Sequence, residues 1–391
     1  MNVEFSYKEL HKWRNKIRKK ADRIDHLSFL DIDESKNRIV ISSSSLKSDN
    51  NQIFALLDQL NIPERAIITE EQERININLE SLPCIIDEST GEEICEGPGG
   101  PDIEIPPSSY TLRDEHSTYT GGIQIRGSRD NLCTLGLNVS WANNSRRGFV
   151  TASHCTEVFA ELDYEYFYQG NTQLGREEFD RETWQSWNGD SYCNDSYECK
   201  YSDVALIEYP ISLFPDAPVG TIARPASLNS IELNSTSDLE GYFVYDTITW
   251  PVGGIGVHKV GRTTGLTTGT IDKSCTDSFA SRDGINYMYI CVSRADYDSD
   301  AGDSGAPILT NSQVPNEHSV YDFEVMLAGF HIGGNSQNNY AVFSGPHYTT
   351  GVVQFGHTPT CQYVNGWLNS ELCDEQAGFG PYEVRHTSYQ N

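Results

Sequence analysis

The sequence predicts a mainly β protein, built as a sandwich or as barrels, that follows a small α+β domain. Beyond Gly121, short apolar stretches alternate with turn residues, and no long amphipathic helix intervenes. The composition agrees, because 21 Tyr and 32 Gly favour strands joined by tight turns. The expected strands are GGIQIRG, LCTLGLNVSW, RGFVTA, DVALIEY, IGVHKVG, YMYICVS, APILT, EVMLAGFHIGG and YAVFSG.

Residues 1–80 have the pattern of a small α+β domain. Apolar residues spaced three and four apart predict a helix whose apolar stripe is Leu10, Trp13, Ile17, Ala21 and Ile24. The segments SFLDID and RIVISS predict a hairpin, and a second helix and a strand at 66–69 follow. Residues 81–118 are rich in Pro, Gly and acidic residues and predict an exposed linker. Residues 119–391 form the β domain, with a core at about 119–355 and a C-terminal tail.

The charge of the chain excludes some partners. A formal net charge of -28 argues against nucleic acid, because phosphates would be repelled. The sequence lacks the roughly 18 consecutive apolar residues that a membrane helix needs. The one basic stretch runs along the first helix and predicts a solvated helix face; its members are Lys12, Arg14, Lys16, Arg18, Lys19, Lys20 and Arg23.

Ten cysteines fall in close sequence pairs without the CxxC spacing of a zinc site, and we expect no bound metal and no cofactor. Disulfides are the better interpretation, and they imply an oxidising compartment and a secreted protein. Residues 1–10 have no apolar segment of the secretory type, so either a signal is missing from this sequence or export uses another route. Sequence cannot fix connectivity, and pairing of neighbours is the working hypothesis: Cys84–Cys95, Cys133–Cys155, Cys193–Cys199, Cys275–Cys291 and Cys361–Cys373.

The segment Gly302-Asp-Ser304-Gly is the first chemical signal. A serine hydroxyl is a weak nucleophile unless a base takes its proton and donors stabilise the oxyanion. Flanking glycines would let the backbone N–H groups of Gly302 and Ser304 point at one spot. By itself the segment could equally be a polar turn.

Two further motifs supply the partners that such a serine needs. His154 lies in TASHC, directly after an apolar strand, where a base could be held with one ring nitrogen free. Asp203 enters the apolar strand SDVALI, and a buried aspartate needs a donor such as a catalytic imidazole. Either residue alone is more often structural, but the order His, Asp, Ser makes chance improbable.

The three motifs resemble the chymotrypsin-like serine protease superfamily. TASHC, DVALI and GDSGAP are similar to its TAxHC, D-[IV]-A-L and GDSGGP motifs. The segments CTLGLNV and KVGRTTGLTTG, at residues 133–139 and 259–269, are similar to its bacterial, streptogrisin-like branch. The resemblance covers about residues 119–355 and implies two six-stranded β-barrels with the catalytic triad His154, Asp203 and Ser304 between them. It implies a serine endopeptidase that works through an acyl-enzyme.

The sequence departs from the family at three positions. Ala306 replaces the second glycine of the serine motif, and the cysteine usually found just before that serine is missing. Ile332-Gly333-Gly334 resembles the substrate strand Ser-[Gly/Trp]-Gly, so Ile332 removes a hydroxyl that usually supports the buried aspartate. The strand could still pair with an extended peptide by backbone hydrogen bonds.

Substrate preference is a weaker inference from the same resemblance. Asp298 stands six residues before Ser304, where trypsin-like members have an acidic residue at the base of the primary pocket, so Arg or Lys is expected before the scissile bond. Exposure of this polar loop, which includes Asp300, is an equal alternative, and small or aromatic side chains remain open. His331 lies near the substrate strand and is interpreted as an ordinary core or surface histidine.

The N-terminal domain is expected to be a pro-region that templates folding and blocks the cleft until cleavage between about 105 and 121, with Arg113 as one candidate site. A permanent accessory domain is the alternative. Expected partners are protein or peptide substrates and the chain's own pro-region, and we expect a monomer. Competing functions are an inactive homologue that acts as a binding module, and acyl transfer or ester hydrolysis on the same triad.

Overall fold

The computed structural model describes residues 4–75, 77, 110–128, 131–141, 145–180, 183, 193–235, 239–248, 251–282, 284–311, 324–335 and 340–345, with the backbone of short strands at 80–81, 84–86, 93–95, 363–364 and 367–368. Within these residues the protein is mainly β, with two α-helices, as the sequence predicts. No helix among them is long and apolar enough to cross a membrane.

The N-terminal segment has the helices and strands expected from its periodicity. Its elements are α1 (Tyr7–Arg18), β1 (Leu27–Asp33), β2 (Arg38–Ser43), α2 (Leu46–Leu60) and β3 (Ile67–Glu71). Ser6 and Glu9 form a capping box that starts α1. β1 and β2 form the predicted antiparallel hairpin, and β3 adds to β2 in parallel. The apolar faces of both helices are buried in one cluster with this sheet.

An eight-stranded sheet forms the first half of the β domain. In chain order, the strands of this region are β4 (Glu80–Ser81), β5 (Cys84–Ile86), β6 (Glu93–Cys95), β7 (Tyr110–Thr111), β8 (Gln124–Arg126), β9 (Asn131–Thr134), β10 (Leu137–Trp141), β11 (Arg146–Thr151), β12 (Tyr166–Gln169), β13 (Thr172–Asp180), β14 (Glu198–Lys200) and β15 (Ala205–Glu208). The order in this sheet is β10-β11-β15-β13-β12-β8-β9-β4, so β14 belongs to the other sheet. With the short strand β4 included, this sheet has eight strands, two more than the six expected.

The second half contains a closed ring of six strands. In chain order, the strands of this region are β16 (Thr221–Ile222), β17 (Glu232–Leu233), β18 (Tyr242–Thr247), β19 (Gly256–Gly261), β20 (Gly265–Arg282), β21 (Ile285–Ala295), β22 (Pro307–Asn311), β23 (Glu324–Asn335), β24 (Tyr340–Ser344), β25 (Tyr363–Val364) and β26 (Trp367–Leu368). Pairing runs β19-β20-β21-β24-β23-β22 and returns to β19. This ring agrees with the predicted six-stranded barrel.

The N-terminal sheet continues into this ring through the long hairpin of β20 and β21. β1 pairs with β20, with Phe29 opposite Ser278 and Leu30 opposite Asp277. The N-terminal segment and the second half of the β domain therefore share one sheet.

A buried charge cluster reinforces this junction. Arg14 and Arg18 of α1 each lie within 2.8 Å of the carboxylate of Asp277, and all three side chains are at most 4% exposed. The interpretation of the basic stretch as a solvated face is therefore wrong for these two arginines. They pair with Asp277, a buried carboxylate of β20, which the helix pattern alone could not reveal.

We expect Asp277→Ala to lower the free energy of unfolding by about 3–5 kcal/mol, because it leaves two buried guanidinium groups without their counter-charge. Thermal and chemical denaturation of the uncut chain measure the loss. Glu4→Ala is the control, since Glu4 pairs with Arg38 and Arg65 at the surface, and we expect a loss of at most about 1 kcal/mol. Equal losses in the two variants would contradict a structural role for the buried cluster.

Candidate active site

Pairing of two strands in the first sheet brings the histidine and aspartate motifs together. β11 and β15 are antiparallel, with Thr151 opposite Ala205. His154 lies in one turn of 3₁₀ helix just after β11, and Asp203 comes just before β15. Cys155 is bonded to Cys133 of β9, which ties the histidine turn to the sheet.

Ser304 completes a continuous chain of hydrogen bonds from the other half of the β domain. It lies in the loop between β21 and β22, and its Oγ is 2.7 Å from Nε2 of His154. Nδ1 of His154 is 2.6 Å from Oδ2 of Asp203. The backbone N–H of His154 donates to Oδ1 of the same carboxylate at 3.0 Å. This geometry allows the imidazole to accept the serine proton while the carboxylate fixes its orientation.

Asp203 is fully buried, yet its carboxyl group is held in the charged form. Burial alone would raise its pKa, but the charge and hydrogen bonds of His154 together with the charge of Lys200 outweigh burial, and the pKa lies below its ordinary value. Two further side chains contact this residue. The hydroxyl of Tyr289 donates to Oδ2 at 3.2 Å, and Ser344 Oγ accepts from the Asp203 backbone N–H at 3.0 Å. Sequence reasoning missed both, because they come from strands far along the chain.

The backbone around Ser304 is shaped to present N–H groups. Gly302 has a φ of 88°, which favours glycine, and the carbonyl oxygen of Gly302 accepts from Thr134 Oγ1 at 2.9 Å. Among the described residues, the N–H groups of Gly302 and Ser304 have no hydrogen-bond acceptor. By contrast, Gly305 donates to the carbonyl of His331. Two N–H groups that lack an acceptor among the described residues, on either side of Asp303, can bind an oxyanion.

A buried ion pair holds the loop that contains Ser304. Lys259 Nζ lies 2.6 Å from Oδ2 of Asp303, and both side chains are fully buried. Thr263 and Thr264 donate their backbone N–H groups to Oδ1 of Asp303. Burial would raise the pKa of Asp303, but the charge of Lys259 and the hydrogen bonds from Lys259 and Thr264 together outweigh it and lower that pKa. Lys259 lies in the segment whose family similarity the sequence revealed, yet no charge pattern assigned it this partner.

Of the expected substrate-binding residues, Asp298 lies in this loop, and Ile332, Gly333 and Gly334 lie in β23. Ile332 is fully buried in β23, while Gly333 and Gly334 pair with β24. Asp298 is exposed, whereas its neighbour Ser299 is buried. Ala306 is buried and its N–H donates to the Asp303 carbonyl, so the small residue fits where the family has glycine.

His331 is a buried histidine of the second ring. Its Nδ1 is 2.9 Å from the hydroxyl of Tyr297, and the residue is 2% exposed. Burial, together with the charge of Lys259, lowers the pKa of His331 to about 3. The imidazole is therefore neutral at every pH at which the protein would normally be studied.

Three of the five expected cysteine pairs are formed in the described residues: Cys133–Cys155, Cys193–Cys199 and Cys275–Cys291. Cys84 and Cys95 are opposite each other in the β5–β6 pair, but their side chains lie outside the described part of the chain. Cys361 and Cys373 also lie outside the described residues.

Comparison with known proteins gives the following matches. A family model described as Trypsin matches residues 111–353. Thermobifida fusca protease A is 16% identical at a TM-score of 0.39, over 59% of this chain and 94% of that one. A Nocardiopsis protease is 19% identical at a TM-score of 0.39, again over 59% and 94% of the two chains. A glutamic acid-specific serine protease, described as using a novel histidine triad in substrate binding, is 19% identical at a TM-score of 0.41, over 60% and 97%.

A search of curated proteins gives no match. The family match confirms the predicted chymotrypsin-like fold class.

We expect Lys259→Met to destabilise the protein in a pH-dependent way. Without Lys259, burial raises the pKa of Asp303 above that of the unfolded chain, so the native state binds more protons and stability falls as pH rises. The deficit relative to the parent should reach about 3–5 kcal/mol near pH 7 and shrink toward pH 4. Chemical denaturation across this range measures it.

Lys36→Met is the matched control, since Lys36 pairs with Asp33 at the surface and its loss should cost at most about 1 kcal/mol. A Lys259→Met deficit that does not change with pH would show that Asp303 is not the group stabilised by the lysine.

Proposed function

This chain belongs to the trypsin family of serine proteases, and we propose that it hydrolyses peptide bonds through His154, Asp203 and Ser304. The observation that carries the proposal is the unbroken chain of hydrogen bonds from Asp203 through His154 to Ser304 Oγ. The two N–H groups without acceptors at Gly302 and Ser304 support the same conclusion.

The proposed reaction follows from these atoms. Ser304 Oγ attacks the scissile carbonyl carbon while Nε2 of His154 takes the hydroxyl proton. The carbonyl oxygen becomes an oxyanion that accepts hydrogen bonds from the N–H groups of Gly302 and Ser304. The imidazolium then protonates the leaving amine, which departs and leaves an acyl-enzyme on Ser304. Water repeats the sequence on the ester and releases the acid.

The alternatives have weaker support. An inactive binding module would have no need for a fully buried aspartate and histidine aligned on a serine hydroxyl. Ester hydrolysis uses the same groups and the same intermediate, so only turnover can separate it from peptidase activity.

Peptide substrates can be placed beside Gly333 and Gly334. Among the described strands, these two residues pair with β24 alone, which leaves the opposite edge of this part of β23 available to an extended peptide. We further propose a preference for Arg or Lys before the scissile bond through the carboxylate of Asp298. Because Asp298 is exposed and its charge is screened, this preference should be modest.

We expect the processed protein to hydrolyse fluorogenic peptides, and Ser304→Ala to lower kcat/KM by on the order of 10³-fold or more, because the nucleophile is lost. Ser281→Ala, which changes an exposed serine of the β20–β21 hairpin, is the control and should retain full activity. Turnover that survives in Ser304→Ala, or no turnover in any processed sample, would contradict the proposed function.

The peptide set includes substrates that differ in the residue before the scissile bond, and kcat/KM for each is measured with the parent and with Asp298→Asn. A preference for Arg or Lys that declines in Asp298→Asn supports the assignment. Cleavage after acidic residues would contradict the assignment of Asp298 and would instead indicate a role in substrate binding for the buried imidazole of His331 in β23. Cleavage after small or aromatic residues would keep the protease and remove Asp298 from the pocket.

We also propose that the N-terminal segment is a pro-region of a secreted zymogen. The three disulfides support an oxidising compartment. The ion pair of Asp303 with Lys259 supports activation without insertion of a new N-terminus, since the carboxylate already has its cation. Arg113 is a poor cleavage site, because its guanidinium donates to the carbonyls of Arg262 and Thr263 and the flanking chain is packed.

We therefore expect the active form to be cut N-terminal to Tyr110, within the linker. Mass spectrometry of the active protein measures the new terminus. Full activity of a chain that remains uncut would make the N-terminal segment a permanent accessory domain instead of a pro-region.

A further inference from the structure

The active site has a hydroxyl donor where the sequence alone shows a gap. In the family that the sequence resembles, a serine of the substrate strand supports the buried aspartate, but this chain has Ile332 there. A fully buried carboxylate that loses a donor is left with an unsatisfied charge, which is costly. In the structure, a residue of the β20–β21 hairpin donates a hydrogen bond to this carboxylate.

Tyr289 supplies the donor. Its side chain is fully buried in β21, and its hydroxyl donates to Oδ2 of Asp203, the same oxygen that contacts Nδ1 of His154. Burial and the negative charge of Asp203 raise the pKa of Tyr289 well above its ordinary value. The phenol therefore keeps its proton and remains a donor across the working range of the enzyme.

The sheet fixes the position of the tyrosine. Tyr289 is opposite Ser278 of β20, and Ser278 is opposite Phe29 of β1, so the three residues form one row across three strands. Residues directly opposite each other in a sheet project from the same face. Phe29, Tyr289 and Ile332 belong to one buried apolar cluster.

We propose that Tyr289 is a positioning residue for catalysis, whose hydroxyl holds the carboxylate of Asp203 in the plane that orients His154. The role rests on the proposed function. Tyr289 does not touch the reacting atoms, and it acts only through Asp203.

Loss of the Tyr289 hydroxyl should slow the reaction. Without the hydroxyl, Oδ2 loses one of its two side-chain donors and the carboxylate is less firmly fixed, so proton transfer by His154 slows. Because Tyr289 acts through Asp203 and touches no substrate atom, the loss should fall on kcat and leave KM nearly unchanged.

The test compares Tyr289→Phe with Tyr209→Phe in the processed protein. Tyr209 is a matched control, because it is equally buried and its hydroxyl donates at 2.8 Å to Asn138 instead of the triad. We expect Tyr289→Phe to lower kcat roughly 10-fold, as the loss of a hydrogen bond to a charged group implies, with little change in KM.

Tyr209→Phe should leave both kcat and KM unchanged, while thermal unfolding shows whether the two variants lose similar stability. If Tyr289→Phe matched Tyr209→Phe in kcat, the positioning role would be overturned while the proposed function stood. Absence of Ser304-dependent turnover in the parent would instead overturn the proposed function, and this role with it.

Discussion

The candidate active site depends on the solvation of one buried carboxylate. Asp203 has no access to water, so the protein must supply the donors that water would provide. Those donors come from both halves of the β domain: His154 belongs to the first sheet and Tyr289 to the second. The two halves must therefore be in register before the carboxylate is stable as an anion, and the same register brings Ser304 Oγ to the free face of the imidazole.

A second buried carboxylate performs the same task for the oxyanion loop. Asp303 pairs with Lys259, a residue of the adjacent strand β19, and also accepts from the N–H groups of Thr263 and Thr264. Because these partners all lie within the β domain, the geometry of Gly302 and Ser304 needs no group created by cleavage. Control of the proposed activity would then come from access to the cleft and not from assembly of the site.

The sequence predicted those features that depend on neighbours along the chain. The hairpin of β1 and β2 follows from alternation and a turn, and the motifs around His154, Asp203 and Ser304 are local signatures. Contacts between strands that are far apart along the chain could not be predicted from the sequence. The burial of Arg14 and Arg18 depends on Asp277, and the role of Tyr289 depends on a register that no local pattern encodes. The absence of a hydroxyl at Ile332 was the one available signal, and it indicated a missing donor without indicating its replacement.

The N-terminal segment and the triad are connected by the hairpin of β20 and β21. One face of the hairpin packs Phe29 beside Ser278 and Tyr289, and the Tyr289 hydroxyl reaches Asp203. A separate contact, of Arg14 and Arg18 with Asp277, holds the segment on β20. Cleavage of the linker would break none of these contacts. The segment would therefore remain bound after cutting, and its departure would require two buried arginines and an aromatic cluster to become solvated together. A pro-region joined in this way would support the strand that positions Asp203 for as long as it stays in place.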